Sequence, residues 1–319
     1  YRVTRILQVI LAGGLATGAS DIHFEPEEKN VRLRYRLDGI LVDVLSFDSE
    51  TYRLALSRIK LISGLKLNIS GEAQDGRFSI KLHGDDIEMR TSILPSNYAE
   101  TVVLRILNPK SISVPLEELG IEPKLLSRLE LEIQKPNGMI LTTGPTGSGK
   151  TTTLYAFLRR VNEPGTKIIT IEDPIEYHLP IVQTQVEKGY TFAEGLRSAL
   201  RSDPDVIMVG EIRDAEVATT AINAALTGHL VFSTLHTNNA AGAFPRLIEM
   251  GDNEKVISSA ITVAMAQRLI RKLCTQCRVT RPLEAKERLL IDNYVKGLVD
   301  QSLIPQNTKE VFDANKGGC

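Results

Sequence analysis

The sequence predicts an α/β protein: a larger domain built on a parallel β-sheet covered by helices on both faces, preceded by a small α+β domain. Three observations predict it. From residue 116 onward, apolar segments at 139–143, 167–171, 206–209 and 230–234 alternate with segments of helical periodicity, as strands do when both faces are buried and helices cross between them. Gly144-Pro145-Thr146-Gly147-Ser148-Gly149-Lys150-Thr151 stands between an apolar, β-rich segment and a helical one, which is the strand, loop and helix setting of a phosphate loop. Before residue 109 the pattern is instead one of hairpin strands and two amphipathic helices.

In chain order, Val3, Ile6, Leu7, Ile10 and Leu11 recur at three and four residues and predict an opening helix that stops near Gly18. Residues 21–26 read as a short strand. Val31, Leu33, Tyr35 and Leu37 then alternate with Arg32, Arg34 and Arg36, and Asp38-Gly39 predicts a type I′ turn into a returning strand at 40–45. Tyr52, Ala55, Leu56, Ile59 and Ile62 mark a second helix ended at Gly64, and strands follow at 78–82, 87–91 and 101–107. This makes 1–108 the small domain. Residues 109–115 hold two prolines and no periodicity, so they read as a linker about which the two halves reorient.

In the larger domain, 116–271, Leu125, Leu126, Leu129 and Ile133 predict a helix ahead of the phosphate-loop strand. Further helices are predicted after the loop to Val161, from Phe192 to an end before Asp203-Pro204, and over 215–226 with Gly228 as the stop. Ligands of such sheets bind beyond the carboxyl ends of the strands, so the polar clusters that follow the strands belong together.

Composition excludes little and favours an ordinary globular protein. The chain has 319 residues, 42% hydrophobic and 24% charged, with a net charge of −1. That balance gives no global attraction to nucleic acid. No apolar run has the length of a membrane span, and a cytoplasmic site is expected. A chain that begins at Tyr1 and ends at Cys319 reads as a fragment of a longer protein. Three cysteines cannot pair into a disulfide framework, and Cys274-x-x-Cys277 suggests a metal knuckle, with zinc possible.

The chemistry resides in four clusters. In the phosphate loop, backbone N–H groups and a helix start would cradle phosphates, Lys150 would act as a point charge, and the Thr151 hydroxyl would bind Mg²⁺ carried by ATP. Gly144 through Thr152 are therefore the candidate nucleotide contacts. Glu172, Asp173 and Glu176 follow the second strand, and one of them could polarise an attacking water. Glu211 ends an apolar strand and would hold Mg²⁺ or share the base role. His229 and His236 bracket the next strand and could sense the γ-phosphate or couple sites.

Together, Gly-Pro-Thr-Gly-Ser-Gly-Lys-Thr at 144–151, Ile-Glu-Asp-Pro-Ile-Glu-Tyr at 171–177, Leu-Arg-Ser-Ala-Leu-Arg-Ser-Asp-Pro-Asp at 196–205, Val-Gly-Glu-Ile-Arg-Asp at 209–214 and Thr-Gly-His-Leu-Val-Phe-Ser-Thr-Leu-His-Thr-Asn at 227–238 closely resemble the secretion-superfamily ATPases. These are the hexameric motors of type II secretion and type IV pilus assembly. The resemblance runs from about Ala19 to Cys277. It implies a RecA-like ATPase domain behind a small nucleotide-clamping domain with a PAS-like sheet. It also implies Walker A, Asp box, Walker B and His box roles for the clusters, with Glu176 as the water-activating carboxylate, Glu211 as the Mg²⁺-associated glutamate and His229 in the His box. Arg90 and Arg105 match the phosphate-facing arginines of the small domain.

The resemblance further implies a homo-hexamer, peripheral to the inner membrane through platform and docking proteins, with no direct nucleic-acid partner. It implies an amino-terminal docking domain that these residues do not include. The expected activity is ATP hydrolysis coupled to pilin or pseudopilin extrusion. A DNA-transport motor of the same superfamily and a nucleotide switch with little hydrolysis are the alternatives. Assembly and secretion members carry two Cys-x-x-Cys pairs around a small zinc subdomain. Here Cys274 and Cys277 supply the first pair and Cys319 the start of the second, so 272–319 reads as an incomplete version of it. Asn97-Tyr98-Ala99 also stands where the family has a glycine before the glutamate, which leaves the shape of that loop open.

Overall fold

A computed structural model describes residues 2–82, 84–108, 114–251, 253–296 and 309–315. Residues 109–113 of the expected linker and Cys319 lie outside that set. The chain divides into two compact units, Tyr1–Leu269 and Ile270–Cys319. The first spans the residues of both expected domains and holds two six-stranded sheets, the amino-terminal one with a core on one face and the other with a core on each face.

The small domain runs α1 (Arg2–Ala16), β1 (Asp21–Pro26), β2 (Val31–Leu37), β3 (Ile40–Phe47), α2 (Ser49–Ile62), β4 (Gln74–Leu82), β5 (Asp85–Pro95) and β6 (Glu100–Leu107). Its antiparallel sheet has the order β3-β2-β1-β6-β5-β4. Two-residue periodicity decides its faces. Ile22, Phe24, Leu33, Tyr35, Met89, Ile93 and Leu104 join the buried residues of α1 and α2 in one core, which leaves Arg32, Arg34 and Arg36 on the opposite face. Asp38 and Gly39 adopt φ of 48° and 81°, the left-handed pair that a type I′ turn demands. Asp48 caps α2 by accepting the Thr51 N–H at 2.7 Å.

Glu100, at the loop whose shape the sequence left open, is buried and ion-paired with buried Lys60 at 2.8 Å. Among the described residues, only Asp38 and Asp203 have positive φ without being glycine. The segment 97–99 therefore turns without any left-handed residue and has no need of the family's glycine.

The larger domain contains α3 (Pro123–Ile133), β7 (Gly138–Thr143), α4 (Lys150–Val161), β8 (Ile168–Glu172), β9 (Val182–Gln185), α5 (Phe192–Leu200), β10 (Val206–Val209), α6 (Ala215–Leu226), β11 (Leu230–Leu235), α7 (Ala243–Glu249), α8 (Glu254–Ala260) and β12 (Ile261–Ala266). The sheet order is β12-β7-β11-β10-β8-β9, and every pairing is parallel. Met139, Leu141, Ile169, Ile207 and Val231 pack under α5, α6 and α8. Ile140, Ile168, Met208 and Phe232 pack under α3 and α4 on the other face. Alternate residues of each strand thus enter different cores, so the strands read as unbroken apolar runs.

In the second unit, β13 (Val279–Pro282) pairs antiparallel with β14 (Glu310–Asp313) beside α9 (Ala285–Lys296). Arg281 ties the three together, with contacts of 2.6 Å to Glu287 and 3.1 Å to Asp313. No described helix of the chain is long and apolar enough to cross a membrane.

Candidate active site

The register places five strand exits on one edge. Thr143 at the end of β7 lies beside Leu235 of β11 and Ala266 of β12, and Val209 of β10 lies beside Ser233 and Ile171. The phosphate loop, the acids after β8 and β10, His236 and the segment after β12 therefore leave the sheet together.

The phosphate loop follows from its glycines. Gly144, Gly147 and Gly149 have φ of 143°, 76° and 87°. A Cβ on Gly144 would stand 2.7 Å from the Gln267 carbonyl and 2.6 Å from Ser148 Oγ, so that position has room only for glycine. Gly149 starts α4, whose first N–H groups are without helical partners. Lys150 is only 8% exposed, and its ammonium donates to the carbonyls of Gly144 at 2.9 Å and Pro145 at 3.0 Å. Burial lowers its pKa below the ordinary lysine value; Glu211 opposes that shift and Arg268 adds to it.

Pro145, Thr146 and Thr151 are exposed and Thr152 is half-buried. The buried hydroxyls of Ser148, Thr142 and Thr143 have no hydrogen-bond partner among the described residues. Orphaned buried donors are rare, and the Ser148 hydroxyl within a loop of left-handed glycines fits the phosphates of a nucleotide.

The three glutamates have different surroundings. Glu172 is 3% exposed and accepts from Tyr155 and Thr170 at 2.5 Å each and from Gln183 at 3.0 Å. Burial raises its carboxyl pKa against those hydrogen bonds. Glu211 holds Arg213 and, at 3.1 Å, His236, while Arg213 also reaches Asp173 at 3.2 Å. Burial works to raise Glu211, but the hydrogen bond and charge of Arg213, assisted by His236, outweigh it and keep the carboxyl below its usual range. Glu176 is 30% exposed and meets Arg90 Nη1 at 3.2 Å.

Arg90 belongs to β5 of the small domain, so this pair joins the two domains. Its Nη2 also donates to the Ile175 carbonyl at 2.9 Å. A cavity of about 520 Å³ opens beside it, lined by Arg77, Arg90, Arg105, Pro174, Ile175 and Gln185 among others. Arg105 is 59% exposed and paired with Asp21 at 3.1 Å.

His229 does not join this group. It precedes β11, its Nδ1 lies 3.0 Å from the Ala224 carbonyl, and its own carbonyl accepts from Gly138 at the start of β7. That is the amino-terminal edge of the sheet, about 20 Å of strand away from the phosphate loop. Of the two histidines, His236, at the carboxyl end of the same strand, reaches Glu211, and His229 closes the turn after α6.

Gln267 and Arg268 belong to the site and were not among the candidates. Gln267 donates its backbone N–H to Thr143 at 2.9 Å and its amide to Thr153 at 2.8 Å. Arg268 donates to the carbonyls of Gln267 and Asn238, each at 2.7 Å. The signal for them is the one used for the other clusters, an apolar strand followed by polar residues.

Cys274 and Cys277 form no disulfide. The N–H of Arg278 bonds the Cys274 carbonyl at 3.0 Å, closing a tight turn between the thiols. Among the described residues no group of three or more His, Cys, Asp or Glu could hold a metal ion, so the two thiols provide half of a tetrahedral set.

Comparison with known proteins agrees with this architecture. The chain is similar to the type II secretion system protein E of Klebsiella pneumoniae, 46% identical over 286 residues, which is 89% of this chain and 58% of the relative. The chain thus spans less than two thirds of the length of the curated relatives it matches. Among solved structures, the ATPase DotB of Legionella pneumophila superposes with a TM-score of 0.68 at 24% identity, covering 93% of this chain and 84% of that one. The pilus retraction motor PilT, solved with bound ADP, superposes with a TM-score of 0.60 at 29% identity, covering 90% and 86%. The family described as Type II/IV secretion system protein matches residues 2–316, and the chain belongs to that family.

Proposed function

We propose that the chain is an ATP-hydrolysing motor subunit that works as a homo-hexameric ring and drives assembly of a type IV pilus or a type II secretion pseudopilus. The observation that carries the reading is the shared edge on which Lys150, Glu176 and Glu211 lie, in a chain of this family. Phosphoryl transfer to water needs cations at the phosphates and an acceptor for the water's proton. Lys150 supplies a cation, and Glu176 is the most exposed of the three glutamates, at 30% against 18% for Glu211 and a buried Glu172. Thr151 and Glu211 are the residues that would hold Mg²⁺, whose chemistry is to neutralise charge on the phosphate oxygens. The depressed pKa of Glu211 keeps it ionised, as a cation ligand must be. Inner-membrane platform and docking proteins are the proposed partners, with the ring held at the cytoplasmic side of the membrane.

The first test is direct. Incubated with Mg²⁺ and ATP, the chain is expected to release phosphate and to sediment as a hexamer; binding of ATP without phosphate release would replace the motor with a switch. Zinc binding by the thiols is tested on a chain that carries a second complete Cys-x-x-Cys pair, where stoichiometric zinc is expected and a metal-free result would refute the site.

The small domain is proposed to complete the site on closure. Arg90 and Arg105 would leave Glu176 and Asp21 for the nucleotide phosphates, where a delivered guanidinium can be worth about 10³ in rate. Arg90→Ala and Arg105→Ala are each expected to lower kcat at least about tenfold. Arg32→Ala, Arg34→Ala and Arg36→Ala should change it less than about threefold, because exposed ion pairs such as Arg32 with Glu27 at 2.9 Å contribute little. Small, equal effects at all five positions would sink the role of the small domain.

A further inference from the structure

Tyr155 lies five residues after Lys150 in α4, and its ring is fully buried. A buried phenol needs partners for its oxygen, and this one has three. It donates to Glu172 Oε2 at 2.5 Å and accepts the N–H groups of Glu176 and Tyr177, both at 3.3 Å. The same loop is tied from β9, where Gln183 accepts the Leu179 N–H at 2.7 Å and donates to the Tyr177 carbonyl at 2.9 Å, and Gln185 accepts the Ile175 N–H at 3.2 Å. Glu172, fixed by Thr170 and Gln183, holds the phenol in place.

We propose that Tyr155 is a positioning residue for ATP hydrolysis: by holding the N–H groups of Glu176 and Tyr177, its phenol oxygen fixes the Glu176 carboxylate relative to the helix that begins at Lys150. The proposal rests on the reading of Glu176 as the water-activating base. From Lys150 to Tyr155 the helix is a rigid strut of about 7.5 Å. One end carries the cation for the phosphates and the other carries the backbone of the base. A tie that only stabilised the fold would be complete with the Glu172 bond; the bonds to residues 176 and 177 link the strut to the reacting groups. Displacing such a group by about 1 Å can cost on the order of 10²-fold in rate.

Tyr155→Phe keeps the buried ring and removes only the oxygen. In the full chain it is expected to lower kcat about tenfold or more, with KM for ATP within about twofold of the parent. Tyr35→Phe, which removes a buried phenol oxygen bonded to the Ile10 carbonyl in the small domain and touches neither the loop nor Glu172, should keep kcat within about twofold. The decisive readout is non-additivity: on a Glu176→Gln background Tyr155→Phe should cost no more than about twofold, since the carboxylate it positions is gone. Gln183→Leu, which frees the loop at Tyr177 and Leu179, should repeat both results and serves if Tyr155→Phe does not fold. Full activity of Tyr155→Phe beside an inactive Glu176→Gln overturns this proposal alone, as do multiplicative losses in the double variant. An active Glu176→Gln overturns the base, and the positioning role with it.

Discussion

Lys150→Ala is expected to lower ATP turnover by a factor on the order of 10³ or more while leaving the chain folded. Removing one preorganised donor from developing charge typically costs about 10² to 10³, and Lys150 brings a full positive charge where the phosphate loop otherwise offers neutral N–H groups. Its burial makes that charge count for more, because solvent screens it less. Burial also means that the substitution is not silent for stability. Two carbonyls lose a donor, that of buried Gly144 and that of exposed Pro145. Water can replace the ammonium at Pro145, so the cost is about 1 to 2 kcal/mol, small against a typical domain stability of about 5 to 15 kcal/mol. Phosphate release and thermal melting of the same preparation check both halves. Turnover within threefold of the parent would remove the phosphate-loop assignment.

How much of this was legible depends on where each signal is stored. The strand Val206–Val209 and the helix Ala215–Leu226 were read from the chain with those limits. An unbroken apolar run marks the strand, Asp214 caps the helix by accepting the Val217 N–H at 3.0 Å, and Gly228 follows its end with φ of 113°. β9 was not legible, because Val-Gln-Thr-Gln is a half-exposed edge strand without an apolar run. Nor was β12, since it continues directly from α8 without a turn residue and Ile261 changes conformation at the junction. Pairing with β7 decides that change, and it is a contact more than a hundred residues away in sequence.

The site divides along the same line. Loop chemistry is local and shows in the chain, and the rule that ligands lie beyond the carboxyl ends of parallel strands already sets His236, which follows its strand, apart from His229, which precedes it. His229 and His236 differ in nothing else that residue type reveals. The Arg90 pair with Glu176 crosses between domains, so no local pattern encodes it. The buried state of Glu172 is equally non-local, because three donors from α4, β8 and β9 create it.

That burial separates the two glutamates of the cluster after β8 and gives the second large prediction: Glu176→Gln is expected to lower kcat at least about 10²-fold, with KM for ATP changed less than about threefold. A general base needs an ionised oxygen that can reach the attacking water. Both oxygens of Glu172 are engaged, Oε2 by Tyr155 and Oε1 by Thr170 and Gln183, and its raised pKa reflects a carboxyl shut away from solvent. Glu211 is committed to Arg213 and His236, and its lowered pKa makes it the poorer proton acceptor. Glu176 has solvent access and, among the described residues, a single ion-pair partner, Arg90, which belongs to the small domain and would leave as that domain closes on the nucleotide. Glutamine keeps the side chain's shape and a carbonyl oxygen for Arg90, so binding should survive while proton acceptance is lost; general-base removal typically costs about 10² to 10⁴. Glu172→Gln, by contrast, retains an acceptor for the Tyr155 hydroxyl and is expected to lose less than about tenfold. Steady-state rates on the two variants decide the matter, and an inactive Glu172→Gln beside an active Glu176→Gln would assign the water to the buried carboxylate instead.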